Sequence, residues 1–101
     1  MYLYKLGKGE GISLINKKMK LSKKKGYLVS EYIKNPHLID GFKYDLRIYI
    51  LVTNYDPLKI YIYEEGLCRF ATEKYDINKI NQIYSHLTNY SINKYNEKVN
   101  F

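Results

Sequence analysis

Only two arginines, Arg47 and Arg69, stand beside fifteen lysines in this chain of 101 residues. A guanidinium offers planar, bidentate donors that an ammonium cannot copy, so in a Lys-biased sequence these two are the first candidates for chemistry on a carboxylate or phosphate. Arg47 follows Asp45 by two residues inside the apolar run Tyr44–Val52, and Lys43 immediately precedes that run. Strand geometry of period two puts Asp45, Arg47, Tyr49 and Leu51 on one face, with Tyr44, Leu46, Ile48, Ile50 and Val52 on the other. A carboxylate and a guanidinium in so apolar a run must reach solvent, pair or meet a ligand. A structural ion pair and a ligand site are both open.

Two further groupings carry weaker signals. Gly7-Lys8-Gly9-Glu10-Gly11 lies between two short apolar runs. Backbone N–H groups at Gly9 and Gly11 can approach phosphate oxygens without a Cβ in the way, and Lys8 adds positive charge. The spacing is not that of a Walker loop, and on general grounds a plain hairpin turn is the stronger reading. His86-Leu87-Thr88-Asn89 places an imidazole, a hydroxyl and an amide within four residues, although a lone His beside a strand is commonly a satisfied core residue. No spacing of His, Cys and paired carboxylates suggests a metal cage or a nucleophile and base pair. Cys68 is the single cysteine and excludes an internal disulfide.

The elements that must hold these residues read as strands. Tyr2–Leu6 and Ile12–Ile15 form a hairpin around the glycines, a Lys-rich loop follows from Asn16 to Gly26, and Tyr27–Ile33 is a third strand stopped by Asn35-Pro36. Tyr44–Val52 is the strongest strand signal. The turn set Asn54–Pro57 and the pair Glu65-Gly66 then divide Lys59–Tyr63 from Leu67–Ala71, predicting an antiparallel meander. Thr72–Ser85 reads as a loop or short helix capped by Asp76, Leu87–Ile92 as a further strand, and Lys94–Phe101 as a frayed polar end.

Composition limits the partners. Apolar residues are 46% and aromatics 16%, enough for one small core, and no long apolar run predicts a membrane span or signal peptide, so a cytosolic chain is expected. The formal charge of +7 favours an anionic partner. The dense Lys17–Lys25 cluster lacks aromatics to stack on bases, which makes nucleic acid an unlikely ligand. A basic nucleic-acid-binding protein would show exposed aromatics clustered on a basic sheet face. A ligand cleft would instead show packed tyrosines, with Arg47, Asp45 and Arg69 converging.

Taken in order, five segments resemble the tubulin–tyrosine ligase-like family from Lys8 to about Lys94. They are Lys8-Gly9-Glu10-Gly11-Ile12; Val29-Ser30-Glu31-Tyr32-Ile33-Lys34-Asn35-Pro36 with Leu38-Ile39-Asp40-Gly41; Lys43 through Val52; Tyr61 through Thr72; and His86-Leu87-Thr88-Asn89-Tyr90-Ser91-Ile92-Asn93. The second and last are most similar to the glutamate-adding members. The resemblance implies an α+β fold, partial ATP-grasp-like and mostly antiparallel sheet with little helix, spanning residues 1–101 as one incomplete domain. It implies ATP and Mg²⁺, phosphorylation of a carboxylate and attack by an amino group on the acyl-phosphate. Lys8, Gly9 and Gly11 would cover the phosphates, and Ser30, Glu31, Tyr32 and Ile33 would lie along the adenine as a hinge. Lys43, Asp45, Arg47 and Arg69 would line the place where phosphates and incoming amino acid meet, with His86, Thr88 and Asn89 in a neighbouring substrate loop. The implied partners are the acidic tails of tubulin and microtubules, in the cytoplasm and cytoskeleton, the cilium or flagellum included.

Two parts of the family pattern depart. An ungapped count places the phosphate lysine of the preceding strand at Tyr2, and Lys5 takes that place only with a shorter loop. The Asp and Glu-x-Asn set for Mg²⁺ falls beyond Phe101, so the expectation is a chain that does not catalyse alone.

Overall fold

The computed structural model describes residues 2–6, 12–15 and 27–99. Strands β1 (Tyr2–Leu6), β2 (Ile12–Ile15) and β3 (Tyr27–Glu31) form an antiparallel sheet in the order β2-β1-β3, with Tyr2 opposite both Ile15 and Glu31. The expected hairpin and third strand are therefore present. β3 ends at Glu31 rather than Ile33, because Tyr32 leaves the ladder and is buried.

A second antiparallel sheet has the order β4-β5-β6, from β4 (Leu38–Ile39), β5 (Phe42–Tyr55) and β6 (Leu58–Phe70). Asp40 and Gly41 join β4 to β5 in a two-residue turn, both at positive φ, 51° and 81°. That backbone suits the right-handed twist of a hairpin and is open to Asp and Gly. Asp56 and Pro57 make the turn between β5 and β6 through a cis peptide bond.

The antiparallel meander is present as β4-β5-β6, but the turn expected at Glu65-Gly66 does not form. β6 runs unbroken from Leu58 to Phe70, and Gly66 pairs with Ile48 inside the ladder. A Cβ on Gly66 would lie 2.8 Å from the Arg47 carbonyl oxygen, so the glycine marks a close backbone approach beside a bulge rather than a turn.

After Phe70 the chain folds back in turns and two single-turn helices, α1 (Ile83–His86) and α2 (Tyr90–Asn93). Asp76 accepts from the Asn78 N–H at 3.0 Å and so closes a local turn instead of capping a helix. The strand expected over Leu87–Ile92 is replaced by extended Leu87 followed by α2. No neighbouring strand pairs with this segment among the described residues, and the Asn93 amide folds it back by donating to the carbonyls of Leu87 (2.7 Å) and Asn89 (3.0 Å). The end expected to fray is tied down through residue 99, where buried Asn96 donates to the Thr72 hydroxyl at 2.9 Å.

Burial concentrates where these pieces meet. Tyr32, Ala71 and Leu87 are buried there with the polar Ser85, His86, Thr88, Asn93 and Asn96, and no buried side-chain polar atom among the described residues lacks a partner. The β5–β6 ribbon instead exposes Leu46, Ile48, Ile50 and Ile62 together with Tyr49, Tyr61 and Tyr63. Tyrosines were expected to be packed, and these are not, because nothing among the described residues covers the ribbon at these positions. No described helix is long and apolar enough to cross a membrane.

Candidate active site

Residues directly opposite in an antiparallel ladder share a face, as do residues two apart on one strand. Asp45 is opposite Arg69 and Arg47 is opposite Leu67, while the Lys43 carbonyl continues the ladder by accepting from the Ala71 N–H at 2.8 Å. Lys43, Asp45, Arg47 and Arg69 therefore occupy one face of the sheet. Asp45 takes its ion-pair partner from across the ladder, not from Arg47.

Two irregularities in the ladder create this arrangement. At the hairpin tip Tyr55 faces Leu58, and carrying that register straight down would set Asp45 opposite Cys68 and turn Arg69 to the other face. Between Asn54 and Val52, β5 advances two residues while β6 advances one; between Ile50 and Ile48, β5 advances two while β6 advances four. The net displacement is one residue, and it brings Arg69 opposite Asp45.

The pair is bidentate. Arg69 Nε donates to Asp45 Oδ1 at 2.8 Å and Nη2 donates to Oδ2 at 2.5 Å. Those bonds hold the Asp45 carboxyl below the usual carboxylate range against the opposing effect of partial burial; a hydrogen bond from Thr88 and the charge of Arg47 act in the same sense. The same contact raises the pKa of Arg69. The Arg47 side chain is exposed and makes no hydrogen bond among the described residues. One carboxylate thus sits among three cations, and the face keeps a surplus of positive charge with one guanidinium uncommitted.

Lys43 is more enclosed. Its Nζ donates to the His86 carbonyl at 2.9 Å and to the Tyr32 hydroxyl at 3.3 Å, and lies 4.7 Å from the centre of the Tyr32 ring. Burial lowers its pKa, with the Asp45 charge working the other way. Lys43 also borders an open cleft of about 510 Å³ lined by Ser30, Glu31, Tyr32, Ile33 and Tyr44. Of these residues Tyr32 is buried, whereas Ser30, Glu31 and Ile33 are exposed. A second cavity of about 320 Å³ opens beside Arg69, Thr88 and Asn93.

The loop after α1 is fixed from behind. His86 is fully buried, Thr88 is buried and Asn89 half-buried. Asn93 uses its whole amide: Nδ2 donates to Leu87 and Asn89, while Oδ1 accepts from the Thr72 N–H (3.2 Å) and hydroxyl (2.7 Å). The carbonyls on either side of Thr88 are thereby fastened to the end of β6. Sequence alone offered no sign of this role for Thr72 and Asn93, since a buried amide network leaves no periodic pattern. Lys8, Gly9 and Gly11 lie outside the described residues.

A basic sheet face, an adjoining cleft and a braced polar loop together define a module suited to an anionic ligand. Its family follows from comparison: residues 5–100 match the Tubulin-tyrosine ligase family, and the chain belongs to it. Among similar proteins, tubulin polyglutamylase TTLL5 of Homo sapiens is 56% identical over 89 residues, covering 86% of this chain and 7% of that protein. Tubulin polyglutamylase TTLL7 of Homo sapiens is 54% identical over 92 residues, covering 88% of this chain and 10% of the relative. Tubulin monoglutamylase TTLL4 of Mus musculus is 48% identical over 91 residues, covering 88% and 8%. The chain spans a tenth or less of the length of these three relatives.

Proposed function

We propose that this chain is the central part of an ATP-dependent ligase that adds glutamate to the acidic tails of tubulin, with the Lys43, Asp45, Arg47 and Arg69 face receiving the phosphates and the incoming amino acid. A tubulin carboxylate takes the terminal phosphoryl group of ATP to become an acyl-phosphate, with ADP released; the amino group of free glutamate then attacks the acyl carbon, forming the amide bond as inorganic phosphate leaves. Negative charge grows on the phosphoryl and carbonyl oxygens along this path, and donors fixed in advance stabilise it. Arg47 supplies an uncommitted fork of donors. Arg69 is aimed by Asp45, and Lys43 stands at the mouth of the cleft where the Ser30–Ile33 hinge would receive the adenine. Thr88 and Asn89 would border the substrate from the braced loop, and Lys8, Gly9 and Gly11 would close over the phosphates.

The observation that carries this reading is the convergence of both arginines of a lysine-biased chain on one sheet face around Asp45, with Lys43 of that face bordering the cleft at Tyr32. The +7 charge suits an acidic tail. The exposed tyrosines 49, 61 and 63 on the same ribbon are what a nucleic-acid-binding reading would use, but Glu64 and Glu65 beside them oppose a polyanion.

No group of three or more His, Cys, Asp or Glu among the described residues could hold a metal ion, and Asp45 is engaged by Arg69. These residues do not by themselves fit Mg²⁺. The full-length protein incubated with ATP, Mg²⁺, tubulin and labelled glutamate is expected to label tubulin in an ATP-dependent manner. Unlabelled tubulin under those conditions would defeat the proposal.

A further inference from the structure

His86 is 0% exposed, and both of its ring nitrogens are bonded. Nε2 lies 3.1 Å from the Lys79 carbonyl oxygen and Nδ1 lies 2.8 Å from the Tyr32 hydroxyl. A carbonyl can only accept, so Nε2 carries the hydrogen, and in the neutral ring Nδ1 is then a lone pair. Tyr32 must donate to it. The Tyr32 oxygen is left to accept from the Lys43 ammonium, which also donates to the backbone carbonyl of His86. One fact, the Lys79 carbonyl, sets the direction of every bond in the chain Lys43 to Tyr32 to His86 to Lys79.

The surroundings hold this chain still. The rings of Tyr32 and Tyr75 meet the imidazole edge-on at centroid distances of 5.7 and 5.3 Å, and the Tyr75 hydroxyl donates to the Lys34 carbonyl at 2.6 Å, just beyond the hinge. Burial favours the neutral form of both His86 and Tyr32. The charge of Lys43 on β5 also disfavours protonating His86, whereas the Lys79 carbonyl and Asp76, on the segment before α1, favour it.

We propose that His86 is a positioning residue: as a neutral imidazole it fixes the Lys43 ammonium through the Tyr32 hydroxyl, and its protonation releases Lys43 from that place. Once Nδ1 is protonated it no longer accepts. The Tyr32 oxygen would then have to accept from two cations at once, and Lys43 is the one free to move toward solvent. The inference rests on the reading that Lys43 faces ATP phosphates, and it gives ATP binding a pH dependence that passes through Tyr32.

The test uses the full-length protein. KM for ATP, kcat and the thermal midpoint are measured from about pH 7.5 down to the lowest pH at which each protein stays folded, because burial moves the His86 titration below the ordinary histidine range, for wild type, Tyr32→Phe and Arg47→Ala. Tyr32→Phe keeps the ring and removes both hydroxyl bonds. It is expected to raise the KM for ATP about tenfold, with a smaller change in kcat, and to abolish the acid-side loss of ATP affinity that wild type retains. An unchanged KM and acid limb in Tyr32→Phe overturns the inference, and so does a lowered midpoint with KM and limb intact, which is the outcome for a purely structural tyrosine. If Tyr32→Phe does not fold, His86→Asn carries the test, because its amide does not titrate: the ratio of ATP affinities between the two pH extremes must flatten, and a wild-type ratio overturns the proposal. Wild type that neither binds ATP nor ligates refutes the ligase reading itself. Active wild type, inactive Arg47→Ala and an unaltered Tyr32→Phe refute only the role of His86.

Discussion

Arg47 and Arg69 carry the same charge on the same sheet face, yet replacing each by alanine should divide their effects on stability and on chemistry. Arg69→Ala removes two charge-assisted hydrogen bonds of 2.8 and 2.5 Å from Asp45. Such bonds contribute about 1.5–3 kcal/mol each when desolvated, but the two side chains here are 28% and 39% exposed. Solvent screening reduces the expected loss of folding stability to about 1 kcal/mol. Arg47→Ala removes no hydrogen bond among the described residues and should change stability by less than about 0.5 kcal/mol. In the ligation assay both should fail to similar degrees, since one positioned donor typically contributes about 3 kcal/mol to a charged transition state, roughly a hundredfold in rate. Glutamate incorporation into tubulin by the full-length protein, with urea unfolding of each variant alongside, reads both quantities. Arg47→Ala that ligates at the wild-type rate would refute the reasoning about the uncommitted guanidinium. Equal stability losses for the two variants would refute the ion pair as a structural element.

Other outcomes follow from the same geometry. Gly66→Ala sets a methyl group 2.8 Å from the Arg47 carbonyl, where backbone cannot yield cheaply, and should cost about 1–3 kcal/mol in urea unfolding while lowering ligation by displacing Arg47. Asn93→Asp replaces two amide donations by carboxylate oxygens facing the carbonyls of Leu87 and Asn89, so it should destabilise more than Asn93→Ala, by about 3 kcal/mol against wild type, measured the same way. The depressed pKa of Asp45 means that its pair with Arg69 adds stability above the unfolded carboxylate pKa of about 4, and that this contribution fades as pH falls below it. Asp45→Asn should accordingly be less stable than wild type near neutrality, with the difference shrinking toward about pH 3 in unfolding curves taken across that range.

What could be read from residue order alone was local. Period two in Tyr44–Val52 set Asp45 and Arg47 on one face, and the rarity of arginine singled out Arg47 and Arg69, because side-chain alternation and guanidinium chemistry are properties of short segments or single residues. The family resemblance was legible too, in the order of five segments that the match over residues 5–100 bears out. The partner of Asp45 was not, since cross-strand register depends on extra residues at two ladder irregularities, and Gly66 looked like a turn until its closeness to the Arg47 carbonyl explained it. Nor did the sequence distinguish a solvent-facing His86 from one enclosed by Tyr32, Tyr75 and Lys43, or reveal that Asn93 bends the Leu87–Ile92 run away from a strand. Those outcomes depend on groups distant in the chain, up to 54 residues apart for Tyr32 and His86, and only the folded arrangement brings them within hydrogen-bonding range.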